Sequence, residues 1–134
     1  MQSHRLALSL VLATSPLAVG GCFLVAAGAG AAGAIAYTNL GATSVVAGTV
    51  DQVFDRAAVA FQQTAITETG RSTEDSGQQR KIIGTKGEYE VTAEFNRTTD
   101  STTKVEITAR KSAVEYDKEM AKDVLHRILA TSNK

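Results

Sequence analysis

The chain has 134 residues, with 14 basic and 14 acidic side chains, two His, one Cys, one Pro and no Trp. That length holds one small domain plus a leader rather than two domains. Balanced charge excludes a dedicated nucleic-acid binder, and a lone Cys excludes a disulfide framework within the monomer. The neutrality hides an asymmetry: residues 1–50 carry one formal charge, Arg5, and residues 51–134 carry the other 27. An uncharged, Gly-rich third thus precedes a charged globular segment.

The first 21 residues read as a signal peptide. His4 and Arg5 form a short n-region, Leu6–Leu12 an apolar h-region, and Ser15-Pro16 breaks the helix before a small-residue stretch. The stretch ends in Val19-Gly20-Gly21-Cys22, which resembles a bacterial lipobox. The resemblance implies cleavage between Gly21 and Cys22, diacylglycerol (palmitate among its acyl groups) on the Cys22 sulfur, and acylation of the new amino terminus. Several acyl chains hold a protein stably where one holds it marginally, each buried CH₂ contributing about 0.8 kcal/mol. Phe23 after the Cys, in place of Asp, points to the outer membrane by the sorting rule of enteric bacteria.

Residues 22–43 follow as the acylated Cys and a tether or juxtamembrane helix. Within them 23–36 (FLVAAGAGAAGAIA) is built largely from small residues. Gly28, Gly30 and Gly33 spell G-x-G-x-x-G with Asp51 downstream, but a dinucleotide site needs that motif between a strand and a helix of a parallel βαβ unit. The pattern here lacks that context, and no cofactor is expected. The tract serves either as a flexible tether or as a small-xxx-small helix through Ala26, Gly30 and Ala34. Its 14 residues fall short of the roughly 20 a lone membrane span needs. An uncleaved Leu6–Ala36 would reach that length and is the alternative topology.

From residue 44 to 134 the pattern predicts a soluble α+β domain. Val45 and Val46 suggest a short strand, and Thr49 with Gln52 forms a capping box. Val50, Val53, Phe54, Ala57, Ala58 and Phe61 then recur at helical spacing. Ile66–Thr69 is a candidate extended piece, and 70–79 (GRSTEDSGQQ) a polar loop. Residues 80–85 and 88–95 flank a hairpin turn at Lys86-Gly87. Tyr89, Val91, Ala93 and Phe95 alternate with Glu88, Glu90, Thr92 and Glu94. After a turn over 96–103, Val105, Ile107 and Ala109 alternate with Lys104, Glu106, Thr108 and Arg110. A closing helix carries Met120, Ala121, Val124, Leu125, Ile128 and Leu129 on one stripe, capped from Ser112 with Glu115 or from Asp117. One apolar sheet face and two apolar helix faces make a small two-layer sandwich of order β-α-β-β-β-α, its sheet antiparallel with both helices on one face.

The lipobox Cys22, the Ala/Gly tract ending in Tyr37, the Ala-rich helix, the hairpin and a closing helix running from Asp117 to Leu125 and Ile128 resemble a family of small bacterial lipoproteins catalogued as a domain of unknown function. The resemblance implies the fold and the compartment and carries no activity.

Chemistry-bearing residues are sparse. A processed chain keeps one His, His126, and a Cys with its sulfur blocked by diacylglycerol, so a Cys/His metal site within a monomer is excluded. His126 beside an apolar stripe fits a surface position, and no G-x-S-x-G elbow provides a nucleophile. Glu88, Glu90 and Glu94 share a strand face, where paired carboxylates would act on sugars only at set separations; exposed alternating Glu is more simply a solvated sheet face. The sequon Asn96-Arg97-Thr98 has no role in a bacterial lipoprotein. The expectation is a non-catalytic binding or structural module, its partners the membrane through Cys22 and an envelope protein or a second copy. A small periplasmic enzyme using His126 or the carboxylates, and a membrane-embedded oligomer formed through the Gly/Ala tract, are the alternatives.

Overall fold

The computed structural model describes residues 33–131. Its elements are β1 (Ala36–Tyr37), β2 (Gly41–Ala47), α1 (Val50–Gln63), β3 (Thr67–Glu74), β4 (Gln79–Lys86), β5 (Tyr89–Thr99), β6 (Thr102–Arg110) and α2 (Lys118–Thr131). The strands form one antiparallel sheet in the order β1-β2-β6-β5-β4-β3. The fold is the expected α+β arrangement, with strands added at both sheet edges.

Helix α1 starts where its capping box requires. The Thr49 hydroxyl accepts from the Gln52 N–H, and Gln52 Oε1 accepts from the Thr49 N–H. Val50, Val53, Phe54, Ala57, Ala60 and Phe61 are its buried side chains, the predicted stripe with Ala60 in place of the half-buried Ala58. Of the two caps offered for α2, Asp117 is used: its Oδ1 accepts from the Met120 N–H at 2.8 Å. Both helices cover the sheet face that carries Ala42, Val46, Ile82, Val91, Ala93, Phe95, Val105, Ile107 and Ala109, all fully buried. The rings of Phe54 and Phe95 meet edge to face at the centre, 5.5 Å apart.

Four expectations are revised. The first half of the stretch read as a polar loop over 70–79 belongs to strand β3, closed by a 3₁₀ turn over Asp75–Gly77. As an edge strand it is exposed along nearly its whole length, so its composition imitates a loop. The turn over 96–103 shrinks to Asp100-Ser101, since Thr99 pairs with Thr102, and the first hairpin turns at Gly87-Glu88, one residue later than expected, with Lys86 opposite Tyr89. The sheet also begins before residue 44, with Ala36, Tyr37 and Gly41–Thr43 inside it. Those small residues lack a strand's usual bulk because β2 is overlaid by α2 and pressed against β6: Gly41, Ala42, Thr43 and Ser44 are all buried. The Thr43 hydroxyl is satisfied by donating to the Val105 carbonyl at 2.9 Å.

Candidate functional site

The sheet face away from the helices is open and charged. Period-2 alternation places Lys81, Glu94, Glu106 and Lys104 on it, and β5–β6 register sets Glu94 directly opposite Glu106. Two like charges in that position repel. Lys81 Nζ lies 2.9 Å from Glu94 and Lys104 Nζ 3.7 Å from Glu106, so a cation flanks each acid. The hydrogen bond to Glu94 holds the Lys81 ammonium above its ordinary pKa. Glu90 meets Arg110 at 3.1 Å, and Glu88 meets Lys111 at 2.9 Å, which raises the Lys111 pKa. The three carboxylates singled out as an acid–base set are therefore each spoken for by a different cation at the surface. A carboxyl that donates a proton at neutral pH needs apolar surroundings instead. Beyond Lys111, burial of the Tyr89 phenol raises its pKa, and Glu115, which accepts its hydrogen bond at 3.3 Å, raises it further.

On the helix-facing side, Arg80 of β4 packs against α1. Its guanidinium lies 3.5 Å from the centre of the Phe54 ring and pairs with Asp51 at 2.7 Å. Arg71 of β3 reaches the same ring at 5.3 Å and chelates Glu68, which lowers the Glu68 pKa. Arg80 opens the helix-facing series of β4 with a charge, ahead of Ile82 and Gly84, while the Lys86 that shares its parity sits at the hairpin end. That mismatch with the alternation is the signal by which the sequence could have revealed it. Its Nε is buried without a partner, so the side chain contributes through stacking and the buried stem. Arg80→Ala is expected to destabilise the domain by about 1–2 kcal/mol, and Arg80→Met to regain most of that by restoring the stem and removing the orphan Nε. Urea unfolding of the two variants measures the difference.

A third feature lies where the described chain begins. Gly33, with φ +107°, donates its N–H to the Val45 carbonyl at 2.9 Å and abuts Leu129 of α2. From there the chain runs beside α2 to Tyr37, whose hydroxyl donates to Glu119 at 2.8 Å. The Lys122 ammonium sits 5.6 Å from the Tyr37 ring centre, and the Tyr37 hydroxyl with Glu119 raises its pKa. Between this stretch and α2 opens a groove of about 400 Å³ lined by Gly33, Ile35, Lys122, His126, Leu129 and Ala130. His126 is thus an exposed residue on the wall of a largely apolar groove, far in sequence from the Glu residues of the open sheet face.

The remaining sequence candidates separate. Gly21 and Cys22, the cleavage and lipidation positions, lie outside the described residues, as do Gly28 and Gly30. Gly33 runs beside β2, within a sheet whose every pairing is antiparallel, and Asp51 is engaged by Arg80. The structural context that gives G-x-G-x-x-G its meaning is a parallel one. Among the described residues no three His, Cys, Asp or Glu side chains gather as a metal site, and no helix is long and apolar enough to cross a membrane.

Residues 5–130 match a family model described as protein of unknown function (DUF3568). The chain belongs to that family. The matched range takes in the uncharged first third together with the charged domain. A search of the curated proteins finds no match.

Proposed function

We propose that this protein is a bacterial envelope lipoprotein, anchored by lipid on Cys22 in the outer membrane and facing the periplasm, whose α+β domain is a non-catalytic binding or structural module. The observation that carries the reading is Val19-Gly20-Gly21-Cys22 placed directly after an apolar h-region. Cleavage there removes Arg5 and leaves 13 basic against 14 acidic side chains. A slightly acidic chain gains nothing from anionic headgroups, so attachment falls to the acyl chains. The non-catalytic part of the reading is supported by the salt-bridged state of Glu88, Glu90 and Glu94 and by the exposure of His126.

Mass spectrometry of the amino-terminal peptide from bacterial membranes tests the anchor. A peptide beginning at Cys22 and carrying diacylglyceryl and N-acyl groups is expected. In Cys22→Ser both modifications should vanish, with the leader retained. An unmodified Cys22, or an intact Met1–Gly21 leader in the native protein, would sink the reading.

A further inference from the structure

The groove beside Gly33 is half-finished core. Ile35 and Leu129 pack against the hydrophobic cluster while remaining partly open, and Ala130 extends the apolar strip one residue further along α2. We propose that this groove is the docking site of the chain's own segment Phe23-Leu24-Val25, so that the tract after Cys22 folds back on the domain instead of holding it at a distance. The proposal deepens the lipoprotein reading, on which its consequence at the membrane rests; the docking itself needs no lipid.

Three observations select this occupant. The first is position: Gly33 lines the groove, and the chain outside the described residues continues from that point. The positive φ of Gly33 is a backbone state suited to reversing direction. The second is reach. Residues 26–32 (AAGAGAA) are Ala and Gly throughout, and seven such residues span on the order of 25 Å when extended. The wall from Lys122 to Ala130 is about 12 Å long at the helical rise. The third is chemistry. Phe23, Leu24 and Val25 are three large apolar side chains in succession, in a stretch without charge, and the linker places them at the groove at an effective concentration in the millimolar range. A separate protein would have to compete with that. Docking brings Cys22 to within one residue of the groove and so holds α2, with Lys122 and His126, close to the membrane surface.

A photo-crosslinking amino acid at Ala130 of the full-length protein in bacterial membranes tests this, with the same probe at Val114, 89% exposed in the loop before α2, as control. The expected adduct from position 130 falls within residues 23–25, located by peptide fragmentation, and is absent from position 114. Leu24→Asp with Val25→Asp should cut its yield at least about tenfold. The adduct should persist in Cys22→Ser protein expressed without residues 2–21, which separates docking from lipidation and from a retained leader. An adduct to acyl chains, to another polypeptide, or to residues 33–36 alone overturns the proposal.

Discussion

Phe95→Ala is expected to cost the domain about 3–5 kcal/mol, in the range of the largest losses from a single truncation. Phe95 is wholly buried on β5, between Arg80 of β4 and Val105 of β6, and its ring is the partner of Phe54. Truncation removes the edge-to-face contact and leaves a cavity at the point where α1 crosses the sheet. It also strips the support from beneath Arg80, whose stacking depends on Phe54 keeping its place. Domains of this size are stable by about 5–15 kcal/mol, so the variant should be close to unfolding at physiological temperature. Its melting temperature should fall by more than about 12 °C. Val114→Ala, at an exposed position, should shift stability by less than about 0.5 kcal/mol. A Phe95→Ala variant losing under about 1 kcal/mol would mean that the core is organised otherwise.

That core was readable because its elements state their own period. Alternation from Tyr89 to Phe95 and from Lys104 to Arg110, and the 3.6-residue stripes of α1 and α2, each follow from one buried face against one solvated face. Elements that lack such a contrast escape this reading. β3 is wet on both faces, so its Thr, Glu, Arg and Ser carry no alternation. β2 fails for the opposite reason: burial on both sides demands small side chains, and Gly41-Ala42-Thr43-Ser44 looks like a continuation of the tether. Strand order is also non-local. β2 pairs with β6 across some sixty residues of chain, and no local pattern encodes that choice. The same logic limits the site: the lipobox is a contiguous word, whereas the groove is assembled from Gly33, Ile35 and one flank of α2.

The β2–β6 seam provides the second large effect, because glycines that look alike in sequence differ there in what surrounds them. A Cβ built on Gly41 would stand 1.9 Å from the Ile107 carbonyl oxygen, a backbone atom that cannot swing aside. Gly41→Ala should therefore force β2 away from β6 and cost about 2–4 kcal/mol. Gly70, on the exposed edge strand, has nothing within 4 Å of its would-be Cβ. Gly70→Ala should be neutral or stabilising by up to about 1 kcal/mol through the unfolded chain. Urea unfolding of the pair gives the contrast, and hydrogen exchange locates it. The amides of β1 and β2 should lose protection first in Gly41→Ala, while those of β4 and β5 keep more of theirs. Because Gly33 hangs on the Val45 carbonyl of β2, that local opening would also dismantle the groove wall, and the Ala130 crosslink to residues 23–25 should fall with it. Equal stability of the two variants would show that β2 is not held against β6 in this register.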